Sequence, residues 1–181
     1  MRRICVVFIF IMLGISAAFS EDAPKARPSE KISDYAAFKA PAGWMAVEKI
    51  NQKDPQLSLE REPDVIKIRL AGGVSSRYKS PEEFLKGFEA RSSDGTFAMK
   101  SLTTTVSGTT CEVYARKVAV MMPVPGEGGP VQTTTEEFCL VPAGDRFFIL
   151  SYSYKDFPPD PMGDGTEVWR EFLKTFKAKA R

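Results

Sequence analysis

Ile66, Ile68 and Leu70 alternate with Val65, Lys67 and Arg69, and this two-residue period constrains the fold more than any other feature. Successive side chains of a strand point to opposite faces, so the pattern describes a half-buried strand. Gly72-Gly73 ends it. Strand signals recur on both sides. Tyr35–Lys39 and Trp44–Lys49 flank the turn Pro41-Ala42-Gly43, and Leu57 and Leu59 alternate with Ser58 and Glu60. Further along, Phe97–Val106 turns at Ser107-Gly108 into Thr109–Met121. Val131–Val141 follows, then Arg146–Lys155 after the turn Ala143-Gly144-Asp145. These last four strands read as a meander. Strands dominate.

The period changes in two places. Ser80-Pro81-Glu82-Glu83 is a capping box with proline at the first helical position, so a helix should start there. Phe84, Leu85 and Phe88 supply its apolar face, and Ser93-Asp94-Gly95 marks its end. Near the C-terminus, Val168, Trp169, Phe172, Leu173 and Phe176 form one stripe spaced i, i+4 and i+8. Lys174, Lys177 and Lys179 follow in its last turns, where cations complement the helix dipole. An antiparallel sheet with one long helix between strands and another at the end is an α+β sandwich.

The opening segment has the tripartite pattern of an export signal. Arg2 and Arg3 precede an apolar run from Ile4 to Ile15, and Ala18-Phe19-Ser20 places small residues for cleavage before Glu21. The apolar run falls short of the roughly 20 residues of a spanning helix, so cleavage is expected rather than anchoring. Cys5 precedes the apolar stretch, where a lipid-bearing cysteine would follow it. The expectation is a secreted or periplasmic protein, released after cleavage near Ser20. Arg2 and Arg3 also account for the whole excess of 25 basic over 23 acidic residues. From Glu21 onward the charges balance, with no basic block to neutralise phosphates. Nucleic acid is not an expected partner, and membrane contact is expected only through a partner protein. Residues 21–33, charged and proline-bearing, read as a flexible tail, and 34–181 as one domain.

Beyond the signal, Cys111 and Cys139 are an even pair in a chain read as exported, and the first expectation is a disulfide. They lie on neighbouring expected strands, on either side of the tip Pro123–Pro130. The two arms differ in length, so pairing needs an asymmetric loop or a bulge. A redox-active thiol pair is the alternative, without Cys-x-x-Cys spacing behind it.

Tyr35-x-x-Phe38-x-x-Pro41-x-Gly43-Trp44 opens the domain, and Ser-Pro-Glu-Glu-Phe-Leu begins the internal helix. Val106-Ser107-Gly108 and the closing Trp169-x-x-Phe172-x-x-x-Phe176 complete the order. In this order the chain resembles the PsbP-like group, over about Tyr35 to Phe176. That group includes extrinsic proteins of photosystem II and many small exported bacterial proteins. The resemblance implies an α/β/α sandwich, an antiparallel sheet with helices packed on both faces. It also implies non-catalytic work: binding a partner, or aiding assembly of an envelope or membrane complex. It transfers no catalytic residue. Metal sites in some photosynthetic members involve histidine, which this chain lacks.

Other constellations are weak. The absence of histidine excludes Ser-His and Cys-His nucleophile pairs, an imidazole base and His-ligated zinc. Asp160, Asp164, Gly165 and Glu171 fall at positions 1, 5, 6 and 12 of a calcium loop, but Met162 at position 3 offers no hard oxygen. Asp164-Gly165-Thr166-Glu167 reads better as a capping box. Ser76-Arg77-Tyr78-Lys79 has Ser-x-x-Lys spacing, in an expected loop before a capped helix. No Gly-rich stretch continues into a phosphate loop. The expectation is therefore no enzyme, no cofactor and no metal.

The tip of the long hairpin is the candidate partner surface: Met121, Met122, Pro123, Val124, Pro125, Gly126 and Glu127. Projecting loops often carry function, and methionine adapts to partner surfaces. The sequence thus reads as a monomeric, exported protein-binding or complex-assembly module with an envelope or periplasmic partner. The alternative is a carrier or sensor of a small apolar ligand held between sheet and helix. A cavity with a few convergent polar groups would favour the alternative.

Overall fold

The computed structural model describes residues 30–49, 53–89, 99–121, 132–156 and 165–179. The export signal lies outside these residues. So do the start of the tail, the hairpin tip after Met121, and Asp160 to Asp164. In chain order the elements are α1 (Ile32–Tyr35), β1 (Ala36–Ala37), β2 (Met45–Lys49), β3 (Gln56–Arg61) and β4 (Asp64–Ala71). Then come α2 (Pro81–Glu89), β5 (Met99–Val106), β6 (Thr109–Met121), β7 (Gln132–Ala143) and β8 (Arg146–Asp156). The chain closes with α3 (Gly165–Thr175) and β9 (Lys177–Ala178).

Seven strands form one antiparallel sheet in the order β2-β3-β4-β8-β7-β6-β5. It is two meanders joined edge to edge. The three strands β2 to β4 lie side by side, and β5 to β8 form the expected four-stranded meander. The joint is β4 against β8, with Ile68 opposite Leu150 and Arg69 opposite Ile149. The expected strand Tyr35–Lys39 is instead the single turn α1 followed by β1, which pairs with β9. Ile32 is fully buried there, and Glu30 receives two hydrogen bonds from Arg146 at 2.9 and 3.2 Å. The fold thus holds the last part of the segment read as a tail.

Alternation assigns each face. Leu59, Ile66 and Tyr152 lie in one cross-strand row, and Ile68, Leu150, Cys139 and Val113 in the next. This first face packs against α3, whose Trp169, Phe172 and Leu173 are buried with Phe176 just beyond. Trp169 stacks on Tyr152 and Phe172 with ring centroids 6.0 and 5.9 Å apart. Its indole N–H donates to Glu137 at 3.1 Å, and Arg170 pairs with the same carboxylate oxygen at 2.7 Å.

The second face carries different chemistry. Ser58, Lys67, Ser151, Phe138 and Tyr114 form one row, and Gln56, Arg69, Ile149 and Leu140 another. α2 starts as expected, with Ser80 Oγ accepting from the Glu83 N–H at 3.2 Å. Its Phe84 ring meets Tyr78 at 5.2 Å and Phe138 at 5.6 Å, both edge to face. Ala71, Phe147 and Ile149 complete this smaller cluster.

The expected α/β/α sandwich with helices packed on both faces is therefore corrected. The chain is mainly one antiparallel sheet, and its three described helices span 4, 9 and 11 residues. α3 covers the first face. On the second, α2 reaches the sheet through Phe84, which stands against Arg69, and among the described residues no second helix joins it. The reason lies in β4 itself. Lys67 and Arg69 stand on this face, and a fully apolar helical layer over them would bury two cations without partners, which is costly.

Candidate ligand site beside the short helix

Where the apolar end of the second face gives way to the polar end, a pocket opens. It has a volume of about 200 Å³ and is lined by Gln56, Lys67, Arg69, Phe84, Glu136, Phe138, Ile149 and Ser151. Five elements contribute. β3 supplies Gln56, β4 the two cations, and β7 and β8 bring Glu136, Phe138, Ile149 and Ser151 across the sheet. Phe84 of α2 forms a wall standing above the strands.

The polar side is anchored by one ion pair. Arg116 Nη2 and Nε reach Glu136 Oε2 at 2.6 and 2.8 Å, so that carboxylate is already engaged. Arg69 differs. Its guanidinium stands over the Phe84 ring, 5.7 Å from the centroid, and no described carboxylate forms an ion pair with it. Burial pulls its pKa below the usual guanidinium range, against the more distant pull of Asp54 and Glu136. Lys67 is exposed at the rim, directly opposite Ser151. Outside the lining, the buried oxygens Asp54 Oδ1 and Ser58 Oγ have no hydrogen-bond partner among the described residues. The site combines an apolar wall and a partly desolvated cation.

The described residues singled out from the sequence sit elsewhere. Cys111 and Cys139 are both buried free thiols, which corrects the expected disulfide. The bulge needed on the hairpin exists, between Ala119 and Met121, but it leaves Cys139 opposite Val113. Cys111 is then a diagonal neighbour, at a spacing of roughly 7–8 Å between such positions. A disulfide asks for Cα atoms about 4.4–6.8 Å apart. Burial pushes both thiols up, most strongly Cys139. Two results should follow. Native protein should resist thiol reagents at pH 8 until it unfolds, because little thiolate is present. Reductant should leave the melting temperature within about a degree, whereas losing a disulfide worth roughly 3–4 kcal/mol would lower it by several degrees.

Of the candidate partner surface, Met121 ends β6, and Met122, Pro123, Val124, Pro125, Gly126 and Glu127 lie outside the described residues. Ser76 donates to the Tyr78 carbonyl at 2.9 Å, while Lys79 Nζ donates to the carbonyls of Gly73 and Val74. Both side chains tie down their own loop. Glu171 pairs with Lys174 on α3. None of these groups reaches the pocket, whose residues carry no local motif. The one trace in the sequence is Lys67 and Arg69 together on the polar side of β4.

No family model matches the chain, and no curated protein matches it. Among solved structures, it is similar to LpqN, involved in cell envelope biogenesis of Mycobacterium tuberculosis. That alignment covers 80% of this chain and 83% of LpqN, at 11% identity and a TM-score of 0.37. The PsbP-like resemblance is not confirmed. A likeness this distant carries no argument about what the chain does.

Proposed function

We propose that the chain is an exported, non-catalytic module that binds a small molecule in the pocket beside α2. The observation that carries this reading is a pocket of about 200 Å³ where the apolar wall of Phe84 and Phe138 meets Arg69. Concave sites with an apolar lining and a few placed polar groups are where small ligands bind. The volume holds about seven waters at roughly 30 Å³ each, which sets a small ligand. The pocket lies beside α2, and five of its eight lining residues are polar, unlike the apolar-ligand site that the carrier reading of the sequence expects. Holding suits these residues better than conversion. Glu136 is engaged by Arg116, and the guanidinium of Arg69 cannot serve as a base. Export rests on the charged, apolar and small-residue succession of residues 1–20.

The test uses the chain as a secreting host releases it, with a mass that should place Glu21 first. A fragment library screened by thermal shift should return hits that Ser151→Trp abolishes, because the indole fills the pocket. Hits that bind the folded variant equally well would place binding elsewhere and reject the reading.

A further inference from the structure

The geometry points to a compact monocarboxylate with a small apolar body as the ligand of this pocket. This rests on the pocket being a ligand site, and it adds the ligand's charge and shape. The lining carries Lys67 and Arg69 against Glu136, one cation in excess. A single negative charge balances that set. A cation would meet the two basic groups of the lining.

Position selects the carboxylate further. Arg116 is spent on Glu136, so the lining cations with no ion pair among the described residues are Arg69 and the rim Lys67. The Arg69 guanidinium stands 5.7 Å from the centre of the Phe84 ring, and a guanidinium with no ion pair among the described residues suits a planar, two-oxygen acceptor. A neutral apolar ligand would cover that guanidinium and return no hydrogen bonds, which costs affinity. Beside the guanidinium, Phe84, Phe138 and Ile149 offer rings and a branched chain to an apolar body. Both ends of the ligand are therefore specified.

The experiment titrates the mature chain with phenylacetate, phenylacetamide and 2-phenylethylamine while following the Ile149 methyl signals by NMR. Phenylacetate should shift them saturably and bind roughly tenfold or more tighter than the isosteric amide, the amine not at all. Arg69→Gln should erase the preference for acid over amide while amide binding persists. Should that variant misfold, Lys67→Gln at the exposed rim should still weaken phenylacetate about threefold and spare the amide. Equal binding of acid and amide at Ile149 would overturn the carboxylate assignment and leave the pocket reading standing. Silence of Ile149 with all three probes would overturn both.

Discussion

Trp169→Ala is expected to lower the stability of the fold by about 3–5 kcal/mol, the cost of deleting a fully buried large aromatic. Trp169 has no solvent exposure and lies between the Tyr152 and Phe172 rings, so its loss opens a void that neither neighbour fills. Glu137 also loses the indole donor at 3.1 Å, although Arg170 stays at 2.7 Å. Trp169→Phe separates the two effects. It keeps much of the apolar volume and removes the donor, so it should cost about 1–2 kcal/mol. Urea unfolding followed by circular dichroism measures both. A loss under about 1 kcal/mol for Trp169→Ala would mean that α3 does not seal the first face as described.

Gly165→Ala should destabilise by about 2–3 kcal/mol, although exchanging glycine for alanine in a helix ordinarily stabilises by up to ~1 kcal/mol. The sign reverses because of what α3 meets at its first residue. A Cβ on Gly165 would lie 2.6 Å from Asp64 Oδ1 and closer still to the Tyr152 hydroxyl. Neither neighbour is free to yield. Tyr152 is buried and donates to Asp64 at 2.8 Å, and Arg61 pairs with the other carboxylate oxygen at 3.1 Å. Displacing the hydroxyl leaves a buried carboxylate short of a donor, which adds to the steric cost. Calorimetric melting of the variant decides the matter. A melting temperature at or above the wild-type value would contradict the close approach.

The local signals read well because their causes are local. The alternation in β4 fixes its faces whatever strand lies beside it. Ser80-Pro81 starts α2 through the Ser80 Oγ contact to the Glu83 amide. The stripe from Trp169 to Phe176 needs only helix geometry to face inward. Ser107 and Gly108, both at positive φ, close the β5–β6 hairpin where the Ser-Gly pair places it.

What was not legible depends on long-range pairing. No local pattern announces that β4 lies against β8, about 80 residues later, and that joint brings Arg69 to Ile149. The pocket draws on strands from both meanders, so its residues are invisible as a motif. The cysteines failed for a related reason, because two positions of register separate a bonded pair from diagonal neighbours. The expectation of helices packed on both faces came from resemblance, and it overlooked Lys67 and Arg69 on the second face. Cations at alternating positions disfavour an apolar helical layer there, and they line the candidate site.

The most direct measurement is a crystal structure of the mature chain grown with phenylacetate. The account predicts the phenyl group between Phe84 and Phe138, with the carboxylate taking both oxygens to the Arg69 guanidinium. A folded protein whose Arg69 is turned onto Asp54 or Glu136, with no ligand against Phe84, would contradict it.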